Sequence, residues 1–420
     1  MHYFRYKKGK LHCEATSLET IARRVGTPCY IYSHQTLVRH WTVFEKAFAS
    51  VPHRTCFAVK ANSNLAVLRI FAKRGGGADI VSGGELFRAR RAGIPAKRIV
   101  YSGVGKTAGE MKQALKEGIL LFNVESEEEL IALNAVAKNL KKKAPVSIRV
   151  NPEIDPKTHP YISTGLKKSK FGVPFEDSFA LYKKARSLPF VEIQGVSYHI
   201  GSQITQISPF VDALKKVKGL VSRLRKEGFT IRYLDLGGGL GIPYENETPP
   251  PPKVYGQALK KELGGLGCTI LFEPGRVIVG NAGILLTKVL YRKETERTGG
   301  KKFVIIDAAM NDLIRPALYQ SYHEVWPVLK NGKKREKVDL VGPVCESGDF
   351  LAKGRFLPKA LPGDLLAVLS AGAYGFTMAS NYNSRPKIPE ILVKGKRWVV
   401  IRERETYKDL IKGEKIPKFL

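Results

Sequence analysis

TCFAVKANSNLAVLRIFAKRGGGADIVS, residues 55–82, is the stretch on which the fold turns. It opens on a short apolar run ending at Lys60, continues through a segment where Leu65, Leu68 and Ala72 recur at helical spacing, and closes on a second apolar run, Gly77–Ser82. Apolar runs of about four to eight residues read as buried strands, and a period near 3.6 between them reads as an amphipathic helix. The stretch is one strand–helix–strand unit. It leaves a lysine at the end of its first strand, where an ammonium is costly unless it is paired, exposed at the rim or used as an amine of lowered pKa.

Working outward, the same alternation continues through RIVYSG (98–103), ILLFNV (119–124), PVSIRVN (145–151), IQGVSYH (193–199), IRYLDLG (231–237) and TILFEPG (269–275), which makes eight strand-like runs in all. Eight alternating units predict an α/β fold, a parallel (β/α)8 barrel of the TIM type, over residues 33–279. Nearly every run finishes on residues suited to chemistry: Lys60, Asp79 and Ser82, Arg149 and Asn151, His199 and Ser202, Gly237–Gly239, Glu273 and Arg276. Barrel active sites are built at that face, so Lys60 is expected to project from the rim of the first strand.

After residue 280 the texture changes to short strands: ILLTKVLY, KFVIID, DLVGPV, DLLAVLS and a hairpin, EILVKGKRWVVIRE, turning at Gly395. Residues 280–420 are expected to form a β-sandwich or β-barrel-like domain. The N-terminal MHYFRYKKGKLHCEA reads as a strand pair turning near Lys8-Gly9, and residues 1–32 are expected to join that β domain. YENETPPPPKVYG, residues 244–256, reads as a proline-rich surface loop between the seventh strand and its helix.

Composition narrows the classes. With 43% hydrophobic and 26% charged residues the chain is of ordinary globular type. The five cysteines, at 13, 29, 56, 268 and 345, form no C-x-x-C pair and no metal-ligand spacing, which argues against a zinc site or a disulfide framework. The start has no apolar signal-peptide core and no later run reaches the roughly eighteen apolar residues of a membrane span. A cytoplasmic protein without a membrane partner is expected. The formal charge of +32 raises the question of nucleic acid. Its densest runs, Lys141–Lys143 and KNGKKREK at 330–337, have no interleaved aromatics, however, and read as solvated helix or turn segments, so no nucleic-acid partner is expected.

A lysine at a barrel rim is also what a strand-end ion pair looks like, a glycine triplet is also a tight turn, and a lone histidine is more often a satisfied core residue. Together they say more. Three consecutive glycines after the seventh strand let backbone N–H groups approach an anion, where barrel phosphate sites commonly lie. FEPGR, residues 272–276, delivers a carboxylate that can hold a proton on a pyridine nitrogen, and His199 can stack on a ring. A lysine for an imine, glycines for a phosphate, a glutamate for a ring nitrogen and a histidine for its face amount to a pyridoxal phosphate site.

FAVKAN, SYHIGSQ, LDLGGGLG, FEPGR, GPVCESGDFLA and AGAYGFTMASNYNSRP resemble the barrel-type pyridoxal phosphate-dependent decarboxylases, in particular the branch acting on diaminopimelate, and the resemblance runs from CEATSLETIARRVGTPCYIYS to about residue 400. It implies decarboxylation of meso-2,6-diaminopimelate to L-lysine and CO2, the last step of lysine biosynthesis by the diaminopimelate route. It implies that Lys60 binds pyridoxal 5'-phosphate as an imine and that His199 stacks on the ring. Ser202, Gly237, Gly238, Gly239, Glu273, Pro274, Gly275 and Arg276 would complete the cofactor contacts. Arg276, Arg315 and Tyr319 would bind substrate carboxylates, Cys345 would donate the proton, Glu346 would hold the distal ammonium, and Tyr374 would touch cofactor and substrate. It further implies a homodimer in which Cys345 and Glu346 enter the partner's active site. The rivals are sister decarboxylases of ornithine, arginine or carboxynorspermidine, an amino-acid racemase, and a non-catalytic cofactor carrier. The Arg315/Glu346 pair argues against the first, the strong electron sink at Glu273 against the second, and Cys345 with Glu346 against the third.

Overall fold

The computed structural model describes residues 2–155, 169–295, 300–330 and 332–420. The chain divides into two compact units, Val38–Ile278 and the combination of Met1–Leu37 with Val279–Leu420.

The first unit is the barrel. Its strands are β1 (His53–Ala58), β2 (Gly77–Ile80), β3 (Ile99–Tyr101), β4 (Leu121–Val124), β5 (Ala144–Asn151), β6 (Val191–Ser197), β7 (Tyr233–Asp235) and β8 (Thr269–Phe272). Each pairs in parallel with its neighbours in chain order, and β8 closes on β1 through Ile270 opposite His53 and Phe272 opposite Thr55. The expected (β/α)8 barrel is present. Strand alternation explains its layered interior, because residues two apart share a face. Cys56, Val100, Leu121 and Leu271 cluster in an apolar layer. Two residues further along the chain in each case stand Asn123 on β4, Ser102 one residue past the end of β3 and Glu273 one residue past the end of β8, joined by hydrogen bonds.

The helices that follow the strands start on residues chosen for the purpose. Asn64 caps α1 (Leu65–Ala72), Ser82 caps α2 (Gly83–Arg91), Thr107 caps α3 (Ala108–Glu117) with a capping box, and Ser126 caps α4 (Glu127–Asn139). Each side-chain oxygen accepts from an otherwise unpaired first-turn N–H, which fixes where the rim loop ends. The later helices are α5 (Phe175–Ser187), α6 (Ser208–Lys226) and α7 (Pro252–Leu263). The α7 helix corrects the proline-rich loop expected over 244–256: Pro252 opens it, because a proline at the first helical position gives up an N–H that has no intrahelical partner anyway. Gly256 lies within α7, where a Cβ would come 2.6 Å from the Ala47 carbonyl oxygen.

The second unit is built of antiparallel and mixed sheet. The N-terminal pair Phe4–Lys7 and Lys10–Cys13 turns at Lys8-Gly9, both at positive φ, as the sequence indicates. The strand Cys29–Ser33 sits between Gly283–Glu294, which it meets antiparallel, and Glu390–Lys394, which it meets in parallel. The hairpin Glu390–Lys394 with Arg397–Arg402 turns at Gly395. The N-terminal strands thus belong to the C-terminal sheet domain. A nine-residue strand, Phe350–Pro358, was not among the expected ones; its apolar residues are interrupted by Lys353, Gly354 and Arg355, which weakens the alternation.

Lys141–Lys143 are exposed, as expected of a solvated turn. In the 330–337 run, residue 331 lies outside the described residues, and Arg335–Lys337 begin the strand Arg335–Val341 rather than a helix or turn. No helix among the described residues is long and apolar enough to cross a membrane.

Candidate active site

Lys60 does not lie on a strand. The β1 strand ends at Ala58, and Val59–Ala61 form one 3-10 turn that carries Lys60 over the rim. Its Nζ forms an ion pair with Asp79 Oδ2 on β2. The lysine side chain is 38% exposed and the aspartate 0%, so the amine is reachable while its counter-ion is sealed. Asp79 Oδ1 is buried and has no hydrogen-bond partner among the described residues. Glu85, in the first turn of α2, accepts from the Val81 N–H at 2.7 Å. Burial pushes its carboxyl up to about 7, with Lys60 and the Val81 N–H opposing and Asp79 reinforcing.

Across the rim, β7 runs into the glycine triplet. Gly237 and Gly239 lie at φ +63° and +112°, which favours glycine, and a Cβ on Gly238 would come 2.2 Å from the Glu273 carbonyl oxygen. Two of the three amides already have partners in the protein: Gly237 N–H donates to Asp235 Oδ1 at 2.9 Å, and Gly238 N–H to His199 Nδ1 at 3.2 Å. That second bond makes Nδ1 of His199 the acceptor and leaves Nε2 to carry the hydrogen. Burial, with Arg149 and Lys60 nearby, holds this imidazole well below its ordinary pKa, so the ring is neutral. A neutral ring is the one suited to stacking.

The β8 end completes the cradle. Pro274 accepts the Ala58 N–H at 3.1 Å and ties the end of β8 to β1. A Cβ on Gly275 would stand 2.9 Å from the Ala61 Cβ, so this glycine allows the close approach beside the lysine turn. Arg276 donates to Tyr244 Oη at 2.7 Å and to Ser202 Oγ at 3.1 Å. Glu273 does not take the strand-end role beside Arg276. Its Oε1 accepts from Ser102 Oγ at 3.2 Å and Asn123 Nδ2 at 3.3 Å, and the same Asn123 amide donates to Asp235 Oδ2 at 3.1 Å. Burial drives Glu273 well above the carboxylate range, Asp235 and Asp79 push it further, and Lys60 opposes them.

One barrel rim therefore brings together Lys60, His199, Ser202, Gly237–Gly239, Glu273, Pro274, Gly275 and Arg276. Sequence reasoning placed Asp79 among the strand ends but outside the cofactor set, and it passed over Glu85, Ser102, Asn123, Asp235 and Tyr244. The signal for Asp79 and Asp235 was available: a carboxylate inside each of the apolar runs GADI and YLDL.

Arg315, Tyr319, Cys345, Glu346 and Tyr374 lie in the other unit. The helix Arg315–Tyr319 carries the first two; Arg315 is buried, with its guanidinium 3.0 Å from His323 Nε2 and donating to Ser321 Oγ at 3.2 Å. Cys345 is exposed while the other four cysteines are buried, which removes the reading of it as an inert core thiol. Its N–H donates to Asn383 Oδ1 at 2.8 Å, and Asp349 braces the turn by accepting from Val344 N–H at 2.7 Å. Tyr374 stands at φ +55°, a strained conformation for an aromatic residue.

Comparison with known proteins gives this geometry a family. The model for the pyridoxal binding domain of pyridoxal-dependent decarboxylases matches residues 34–280. The chain belongs to that family. It is similar to the diaminopimelate decarboxylase of Pseudomonas aeruginosa, 52% identical over 416 residues covering 99% of both chains. Among solved structures it resembles diaminopimelate decarboxylase from Helicobacter pylori complexed with L-lysine, with a TM-score of 0.90, 44% identity and coverage of 94% of this chain and 98% of that one. It also resembles the M. jannaschii enzyme in co-complex with L-lysine, with a TM-score of 0.94, 40% identity and coverage of 99% and 98%. The cofactor of a pyridoxal-dependent decarboxylase is pyridoxal phosphate, and the rim fits it: a reachable amine, a buried carboxylate oxygen lacking a partner, a neutral imidazole, and glycines whose Cβ atoms would fill the cradle.

Proposed function

We infer that this chain decarboxylates meso-2,6-diaminopimelate at its D-centre, releasing CO2 and L-lysine, as the last step of lysine biosynthesis by the diaminopimelate route. The observation that carries the reading is 52% identity, end to end, with an enzyme named for that substrate. Bound at the rim, the cofactor supplies the electron sink that decarboxylation requires. The chain's own residues do the rest. Lys60 would attach the cofactor, and Asp79 holds its amine in place. Gly237–Gly239, Ser202, Pro274, Gly275 and Arg276 would seat the phosphate end, His199 would cover the ring, and Glu273 would face the ring nitrogen.

On the substrate side, Arg276, Arg315 and Tyr319 bind carboxylates, because an arginine fork matches a carboxylate's two oxygens. Glu346 holds the distal ammonium and Tyr374 touches both cofactor and substrate, consistent with the backbone strain it carries. Cys345 would hold the proton delivered to the carbon that loses CO2, which its solvent-reachable thiol supports. We further assign a homodimer in which Cys345 and Glu346 of each chain complete the site of its partner, and a cytoplasmic location.

The test is a cofactor absorbance spectrum recorded with and without meso-diaminopimelate, alongside CO2 release from that substrate, ornithine, arginine and carboxynorspermidine. The reading expects a spectral change and CO2 from meso-diaminopimelate with L-lysine as product. CO2 from one of the other amines alone, or a spectral change without CO2, overturns it.

A further inference from the structure

We propose that Asp235 and Glu273 hold one proton between them, and that Asp235 is the positioning residue that takes this proton when the protonated ring nitrogen of the cofactor faces Glu273. The inference rests on the placing of that nitrogen at Glu273, and it assigns a role to a carboxylate that the cofactor does not touch.

The geometry of the pair favours a shared proton. Asp235 on β7 and Glu273 just beyond β8 are held side by side by one amide, Asn123 Nδ2, which reaches an oxygen of each carboxyl. Both are buried, at 1% and 9% exposure. The donors aimed at them are neutral: Asn123 Nδ2 lies 3.1 Å from Asp235 Oδ2 and 3.3 Å from Glu273 Oε1, Ser102 Oγ donates to Glu273, and Gly237 N–H donates to Asp235 Oδ1. Two like charges in such a site cannot both ionise, so the pair titrates as a unit.

The charged and titratable groups facing the pair leave the proton in it. Asp79 on β2 adds a further negative charge and raises both carboxyls. Lys60, from the turn after β1, is the cation acting on Glu273, and it forms its ion pair with Asp79. Cys56 on β1 and Tyr198 beyond β6 are driven up by burial and stay neutral.

The consequence concerns the electron sink. Without Asp235, a buried Glu273 of high proton affinity would compete with the ring nitrogen for its proton and weaken the sink. With the shared proton moved to Asp235, the Asp235 hydroxyl donates to the Glu273 carboxylate, lowers its basicity and leaves the ring proton on nitrogen. The balance closes. One hydrogen passes from Glu273 to Asp235, and the pair carries a single negative charge before and after. Asp235 also accepts from Gly237, so one side chain braces both the glycine turn and the glutamate.

The test loads the full-length protein with pyridoxal phosphate labelled with nitrogen-15 in its ring and follows the ring-nitrogen chemical shift through the neutral range. Wild type and Asp235→Asn are expected to show the protonated shift, since the asparagine amide donates to Glu273 as the protonated aspartate does. Asp235→Ala is expected to move toward the unprotonated shift. The wild-type minus Asp235→Asn infrared difference spectrum of the loaded protein is expected to contain a protonated-carboxyl band, the contribution of Glu85 cancelling between the two. That second measurement stands if the alanine variant does not fold. A shift moved by Glu273→Gln but not by Asp235→Ala overturns the shared proton alone, as does a wild-type minus Asp235→Asn difference spectrum with no protonated-carboxyl band, since the band of Glu85 cancels in that difference. A shift unmoved by Glu273→Gln overturns the placing of the ring, and the relay with it.

Discussion

Lys60 shows how two readings of one residue can both hold. The bland reading, a strand-end ion pair, is what the structure contains, and the counter-ion is Asp79. The chemical reading needs the same geometry, because a fully buried carboxylate beside a reachable amine holds that amine where a cofactor arrives. If Lys60 is the attachment point, borohydride reduction of the loaded protein fixes pyridoxyl mass on the peptide containing residue 60, and Lys60→Ala abolishes turnover. Label on a different lysine contradicts the assignment. Glu85 gives a pH test that needs no substrate. Its carboxyl, at about 7 in the folded chain against an ordinary 4.5, retains a proton that the unfolded chain has already lost. Stability therefore falls as pH rises from about 4.5 through about 7 and levels off above, by at most about 1.4 kcal/mol per unit of difference. Glu85→Gln removes that decline. Urea unfolding of the cofactor-free protein across this range is expected to show the variant gaining on wild type as pH rises; parallel curves would sink the argument. Lys60, His199 and Glu273 were legible from sequence because each ends a recognisable strand run; Asp79 was counted among the strand ends but left out of the cofactor set, and Asp235 was passed over, because each carboxylate sits inside an apolar run.

At the scale of elements, the eight strands were legible because each apolar run is bounded by a turn or a cap. What remained hidden were pieces whose sequence signal conflicts with their structure. Pro249–Pro252 announces a loop, yet Pro252 begins α7, since its ring fits the first helical position. Lys60 was expected at the rim end of the first strand and lies just past it in a 3-10 turn, because the parallel ladder with β2 ends at Ala58 opposite Asp79. The glycine triplet was expected to offer its amides to an anion; the structure engages the first two with Asp235 and His199 and shows a steric role beside the electrostatic one. Gly238→Ala tests that role. Its methyl would stand 2.2 Å from the Glu273 carbonyl oxygen, a backbone atom that cannot swing aside. The loops after β7 and β8 must part, at a cost on the order of 1–3 kcal/mol as for other overpacked sites. Thermal unfolding and cofactor titration are expected to show lower stability and weaker cofactor binding together. Unchanged cofactor affinity would mean that the two loops are free to separate.

At the scale of the whole molecule, the proposed chemistry is split between units and, on our reading, between chains. Lys60 belongs to the barrel unit, and Cys345 and Glu346 to the sheet unit. Cys345 is exposed in the single chain, as a residue serving a partner's site would be. Lys60→Ala and Cys345→Ala homodimers are each expected to be nearly inactive. Dissociated, mixed and reassociated in equal amounts, about half the dimers are hybrids under random pairing in a two-fold assembly. If the two residues act on one substrate from different chains, each hybrid has one site free of both changes and one site carrying both. About a quarter of all sites then regain activity. If both residues of a site come from one chain, every site retains one lesion whichever chains are paired, and mixing restores nothing. Subunit exchange is verified independently by mass-tagging one variant and recovering mixed dimers. Activity near a quarter of wild type in such a sample establishes the shared site, and mixed dimers that stay inactive place Cys345 in the same chain's site as Lys60.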